Sequence, residues 1–231
     1  LLEAGTMSID PKYVIKQASE ALQDPTFVRW TVPELVRYFN DGCREVLVPR
    51  PDATAKNVTL TLTQGAKQTL QAGFVKLLDL RRNATGSRAI TQCPMEVLDA
   101  VDPDWANRTP SGTIIHFMFD PRTPREFHVY PPAVAGTQVH ALCAELPTQI
   151  TEPVGATDIE GVVGVSNLPE VMTNALVNYL LFRAYAKDSE TASNAQRASA
   201  YYDAFAKGLG TEVAATVTVG PTSKPTPLSS S

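Results

Sequence analysis

The stretch NALVNYLLFRAYAKDSE, residues 174–190, is the greasiest of the chain, and its reading decides the fold. It is too short and too interrupted to cross a bilayer, which takes about 20 consecutive apolar residues. On a helical wheel Met172, Ala175, Leu176 and Tyr179 define one face. Val171, Leu181, Phe182 and Tyr185 define another, bracketing Asn174 and Asn178. No broad solvated face is left. A helix that is apolar nearly all round is either central to a core or covered by another subunit, and both readings stand at this point. The tyrosines favour contact, because their hydroxyls tolerate the wet edge of an interface.

Working outward, the helical period holds from about Leu168 to Lys187, and SNAQ (Ser193–Gln196) opens a fourth helix with a capping box. Ala198, Tyr201, Tyr202 and Phe205 lie on its apolar face, and Gly208 or Gly210 is expected as its C-cap. At the other end of the chain, Asp10 suits an N-cap and Pro11 a first helical position, followed by the stripe Val14, Ile15, Ala18 and Leu22. A second helix starts at Thr31, which pairs with Glu34 as a capping box, with Trp30 and Leu35 placed as a hydrophobic staple.

Between these ends the period changes to two. NVTLTLTQGAKQTL alternates Val58, Leu60 and Leu62 against threonines and turns at Gly65, the pattern of a hairpin. Further strands flank the turn Asn83–Ser87, a short helix is expected over Pro94–Val101, and TIIHFMFDPRTPREFHVYPP makes another hairpin. TQVHALCAEL closes the block. The expected fold is therefore α+β: a four-helix bundle from N- and C-terminal helix pairs with an inserted antiparallel β domain. Its parts are a disordered leader over 1–9, a helix pair over 10–50, the β domain over 51–150, a linker and second helix pair over 151–210, and an arm over 211–231. That arm has too few large apolar side chains to offset its ordering entropy without a partner.

Composition narrows the function. The 231 residues carry a formal charge of −4, which argues against a dedicated nucleic-acid binder. Charged residues make up only 19%, against about a quarter in a typical soluble domain; self-association would hide such a surface, though a bulky core also lowers the fraction. Cys43, Cys93 and Cys143 are odd in number and widely spaced, so neither a disulfide framework nor a zinc ribbon is signalled, and a reducing compartment is the simplest inference. No apolar run is long enough for a membrane span. LLEAGT before Met7 lacks the regions of a signal peptide. Leu-Glu-Ala can be encoded by bases containing GGAGG, a bacterial ribosome-binding site, so Met7 is expected to be the true start.

No phosphate loop, dinucleotide fingerprint, zincin motif or nucleophile elbow is present, so no enzyme and no cofactor is indicated. His116, His128 and His140 fall on expected strands; a zinc site would need them to converge, and satisfied strand histidines are the simpler reading. Asp102 and Asp104 in DPDW have the composition of a turn. Arg81, Arg82 and Arg88 gather around one hairpin, either to contact a partner's phosphates or as a solvated tip salt-linked to acidic neighbours. Three N-x-T triplets, at Asn57, Asn83 and Asn107, match glycosylation acceptors by coincidence in a chain without a secretory signal.

The blocks VRWTVPELVRYFNDGCREVLVPRPDA, LLDLRRN, MEVLDAVDPDW, FDPRTPREFHVYPP and ALVNYLLFRAYAKDSETASNAQRASAYYDAF, in that order, resemble the adaptor (head–tail connector) proteins of short-tailed phages, over about residues 10–210. The resemblance implies a virion protein, made in the bacterial host cytoplasm, that forms a ring of usually twelve copies at the head–tail junction. That ring would sit between the portal and the tail nozzle or fibre proteins. Genomic DNA would pass through it at ejection without sequence-specific binding, and no membrane is involved. On this reading Val171, Leu181, Phe182, Tyr185, Tyr201, Tyr202 and Phe205 face a neighbouring subunit. Arg81, Arg82 and Arg88 contact a partner, and Val217, Val219, Pro221 and Pro225 belong to a docking arm. The alternative is another tail component, such as a nozzle or fibre-attachment protein.

Overall fold

The computed structural model describes residues 8–188 and 192–219. The question of the start at Met7, and Pro221 and Pro225 of the arm, lie outside them. In chain order the elements are β1 (Ser8–Ile9), α1 (Pro11–Ala21), α2 (Val32–Leu47), β2 (Ala55–Thr61), β3 (Gly65–Thr69), β4 (Phe74–Asn83) and β5 (Thr91–Gln92). There follow α3 (Met95–Val101), β6 (His116–Phe119), β7 (Glu126–Ala133), β8 (Gln138–Glu145), β9 (Ser166–Pro169), α4 (Thr173–Lys187) and α5 (Ala192–Val219). They fall into two compact units, Leu1–Cys43 with Gln149–Ser231, and Arg44–Thr148.

The fold is α+β, but it is not a four-helix bundle with an inserted β domain. The described residues hold five α-helices against nine strands in three sheets. The apolar faces of the helices are covered in part by chain that is not helical. Ile9, grouped with the leader by the sequence, is buried in β1, which pairs with β9 through Ile9↔Ser166. Ile150, at the expected end of the β domain, Val162 of the expected linker and Leu168 at the expected start of helix three are buried as well. Asn40 of α2 ties one of these segments down: its side-chain amide donates to the Ile150 carbonyl at 2.8 Å and accepts from the Ile150 N–H at 2.9 Å.

Within this unit α1 begins as expected, with Pro11 at its first turn and the Asp10 carboxylate accepting from the Lys12 N–H at 2.9 Å. Helix α2 meets α4 at several points, among them the Arg183 guanidinium over the Tyr38 ring at 4.8 Å. Gly42 lies under Tyr179 and Leu176, Asp41 pairs with Arg183 at 3.0 Å, and Glu34 pairs with Lys187 at 2.7 Å. The Glu34 carboxylate also accepts from the Tyr38 hydroxyl. Lys187 and Tyr38, not the capping box the sequence suggested, are its partners among the described residues. Burial pushes the Glu34 carboxyl up, and the bonds from Lys187 and Tyr38 outweigh it, so its pKa lies below the ordinary value.

Residues 44–148 build a sandwich of a three-stranded sheet, β2-β8-β4, and a four-stranded sheet, β3-β7-β6-β5. The period-two pattern explains the core between them. Leu60 of β2, Leu77 and Leu80 of β4, Phe117 of β6, Phe127 and Val129 of β7, and Val139 and Ala141 of β8 form one buried cluster. Burying each of these leucines, valines and phenylalanines is worth about 1.5–3 kcal/mol. The hairpin expected at Gly65 does not form: β2 pairs with β8 and β3 with β7, so the chain changes sheets there. Alternation specifies which residues point inward but not which strand lies alongside. Gln68, 3% exposed, closes the crossing by donating to the Thr63 and Gly65 carbonyls and accepting from the Thr63 N–H. The short β5 pairs with β6 in parallel, so the block is not wholly antiparallel. On the outer face of the four-stranded sheet, Leu98 of α3 and Trp105 pack with Ala66 and Met118.

Candidate functional site

Helices α4 and α5 lie side by side, and aromatic rings fill their seam. Tyr179 meets Phe205 with centroids 5.1 Å apart, Phe182 meets Tyr202 at 5.0 Å, and Tyr185 stacks on Tyr201 at 5.6 Å with planes 4° apart. The pairs climb α4 while descending α5, as antiparallel neighbours require. Each is worth about 0.5–1.5 kcal/mol beyond its buried area. Of the residues assigned to a subunit contact, Phe182, Tyr185, Tyr201, Tyr202 and Phe205 thus meet within the chain. Leu181 and Phe205 are buried in its core, whereas Val171 is 67% and Tyr202 45% exposed. Helix α5 does not stop at Gly208 or Gly210; it runs 28 residues to Val219, so Val217 and Val219 of the expected arm are on it. A Cβ on Gly208 would sit 3.7 Å from the Ala175 side chain, an ordinary van der Waals contact, so packing does not require glycine there.

The three arginines lie around one turn, as the sequence reading placed them: Arg82 bridges Ala89 antiparallel, and the Arg81 carbonyl accepts from the Ile90 N–H just past Arg88. A register shift between Leu80 and Arg82, a β-bulge, leaves both Arg81 and Arg82 exposed on β4. Such an extra residue turns successive side chains to the same side. Arg81 donates to the Asn57 side chain at 2.9 Å and pairs with Asp79 at 3.5 Å; Arg82 donates to the Ser87 carbonyl. Arg88 is exposed in the turn, and its carbonyl accepts from the Asn83 backbone and side chain. Asn83 itself is 1% exposed and clasps Ile114, donating to its carbonyl and accepting from its N–H, both at 2.8 Å.

Two surfaces of the β unit carry apolar side chains into solvent, and the sequence reading missed both. One is an open groove of about 460 Å³ whose walls include Leu47, Val48, Val75, Pro124 and Leu146, with Arg44 and Lys76 also lining it. Val48 is 79% exposed and Leu146 50%. These residues are scattered from 44 to 147, so no local pattern announces them. The other surface is the outer side of α3, where only Leu98 is buried and Glu96, Val97, Ala100 and Val101 are exposed. Here a signal existed: Val97 and Val101 are four apart, hence neighbours on the helix.

The model of a family described as SU10 adaptor protein matches residues 13–225. The chain belongs to this family. The match spans nearly the same residues as the sequence resemblance to head–tail adaptors. Comparison with curated proteins finds no match. The protein is thus a phage structural adaptor, a virion component that contacts other virion proteins.

In this adaptor the polar groups that might have suggested chemistry are held by structural partners. His116 shares a hydrogen bond with Thr91 at 2.7 Å and stacks on Tyr130. His128 meets the edge of Trp105 at 5.9 Å; burial, then the charge of Lys67, lowers its pKa. His140 is on the other sheet and bonds Thr59, so the three histidines do not converge. Asp102 is clasped by Arg108 through two bonds of 2.8 Å, which hold its carboxyl below the ordinary range. Among the described residues no group of three or more His, Cys, Asp or Glu could hold a metal ion. No described helix is long and apolar enough to cross a membrane.

Proposed function

We propose that this adaptor assembles as a closed ring, of twelve copies, at the head–tail junction of a short-tailed phage virion. It would join the portal to the tail nozzle or fibre proteins and line part of the channel through which DNA leaves at ejection. The observation that carries this reading is the family match over residues 13–225. The role is mechanical and not catalytic, and the protein is made in the bacterial host cytoplasm. Twelve copies at −4 each carry −48. Acidic side chains outnumbering basic ones on the channel wall would repel phosphates and let DNA slide, because phosphate affinity comes from Lys and Arg. Residues 211–231 serve as an arm docking on the portal or a ring neighbour.

Native mass spectrometry and electron microscopy of the full chain, alone and with purified portal, test the reading. A closed ring in either condition supports it. A chain that stays monomeric beside both portal and nozzle overturns it, and cross-linking to a nozzle or fibre protein but not to portal supports the alternative tail component. Deleting residues 211–231 is expected to weaken portal docking while leaving the thermal unfolding of the remainder intact.

A further inference from the structure

The two apolar surfaces of the β unit are opposite in charge. On α3, Val97 is 51% and Val101 81% exposed, and they form an aliphatic ridge beside Ala100. Of the nearby carboxylates, Asp99 accepts from the Trp105 indole at 2.7 Å and Asp102 is taken by Arg108. Those of Glu96 and Asp104 are exposed and make no ion pair among the described residues, although the charges of Arg122 and Arg108 respectively reach them. Carboxylates at 96, 99, 102 and 104 outnumber these two guanidiniums, so the surroundings of the ridge are net acidic. The groove is apolar along its length and has Lys76, which likewise makes no ion pair among the described residues, and Arg44 in its lining.

We propose that α3 of one copy docks into this groove of the next copy, Val97 and Val101 on Val48 and Leu146, with Glu96 and Asp104 against Lys76 and Arg44. The inference rests on the ring reading above and identifies one of its contacts. Its occupant follows from complementarity of both kinds: an aliphatic ridge about 6 Å long on a helix of about 10 Å against an aliphatic groove, and acid against base. Groove on groove, or ridge on ridge, would set like charges together, so the same patch cannot pair with itself about a twofold axis. Two different patches meeting head to tail make a heterologous contact, the kind that propagates and closes into a ring. The contact is smaller than the roughly 800 Å² per partner of a stable interface; it serves as the specifying centre of a larger one.

Charge reversal in the full chain tests this, with assembly followed by native mass spectrometry and electron microscopy in whichever condition gives wild-type rings. Lys76→Glu alone, and Glu96→Lys with Asp104→Lys, are each expected to weaken assembly roughly tenfold or more, with unfolding temperatures close to wild type because all three side chains reach solvent. Combining the three substitutions in one chain restores rings. Mixing the groove-reversed chain with the ridge-reversed chain restores rings in which the two alternate, because both junctions then set opposite charges together. Wild-type rings that persist in both reversed variants overturn the docking and leave the ring standing, as does loss in both without rescue in the combined chain. A wild type that forms no ring even on portal overturns the ring reading, and this docking with it.

Discussion

A Cβ on Gly42 would lie 2.8 Å from Cδ1 of Tyr179 and 3.1 Å from a methyl of Leu176. The two helices approach too closely at this point for any side chain on α2, and the ring of Tyr179, fixed in turn by Phe205 and Phe182, cannot easily give way. Gly42→Ala gains about 1 kcal/mol of helix propensity but meets an overpacking cost of about 1–3 kcal/mol, so a modest net loss is expected. Gly42→Val, larger and β-branched, is expected to lose about 2 kcal/mol or more. Urea unfolding midpoints measure both.

Asn40 and Asn83 perform the same task in separate units. Each presents a side-chain amide that bonds both the N–H and the carbonyl of one distant backbone residue, Ile150 and Ile114 respectively, substituting for a strand partner where none exists. Replacing either by Ala leaves two buried backbone groups without partners, at about 1–3 kcal/mol each. Native-state hydrogen exchange discriminates the sites. Asn40→Ala is expected to deprotect the Ile150 amide and spare that of Ile114, and Asn83→Ala the reverse.

These contacts mark the limit of what was legible beforehand. The stripe of α1, the alternation Val139–Ala141–Cys143 of β8 and the β6–β7 hairpin were readable because periodicity reports which side of an element is buried. Periodicity does not report what covers it. The sequence therefore suggested that helices cover helices, whereas Ile9, Ile150, Val162 and Leu168 from strands and loops share the task. Glycines near the expected helix end suggested a stop at Gly208 or Gly210, whereas α5 runs through both to Val219. The apolar groove, assembled from residues separated by up to a hundred positions, left no trace in any local window.

Acid is expected to loosen the helical unit. Burial raises the Asp24 carboxyl, but bonds from the Trp30, Val28 and Arg29 N–H groups outweigh it, with the charge of Arg29 adding to them, and hold it below its ordinary value; Glu34 is lowered by Lys187 and Tyr38 against a like burial effect. A carboxyl whose pKa is depressed on folding binds fewer protons folded than unfolded, so its stabilisation is full above the unfolded pKa of about 4 and is lost as pH falls through the folded value. The unfolding temperature should be insensitive to these two groups between about pH 5 and 7 and should fall below about pH 4. Asp24→Asn should flatten that acid limb by thermal melts across pH, while a parallel acid limb in wild type and variant would exclude Asp24 as a contributor.

The seam between α4 and α5 gives the sharpest distinction between cohesion inside the chain and cohesion between chains. Phe182 touches Tyr202 and Tyr179 of its own chain, so Phe182→Ala removes ring contacts within the fold. A partly buried ring of this kind costs about 2–4 kcal/mol on truncation to Ala, toward the low end of the range for fully buried aromatics. Because the loss is intramolecular, the unfolding temperature should drop by the same amount at low and at high protein concentration. A drop that deepens as the protein is concentrated and fades on dilution would mean instead that the ring serves a neighbouring subunit, since stabilisation by association scales with the concentration of the partner.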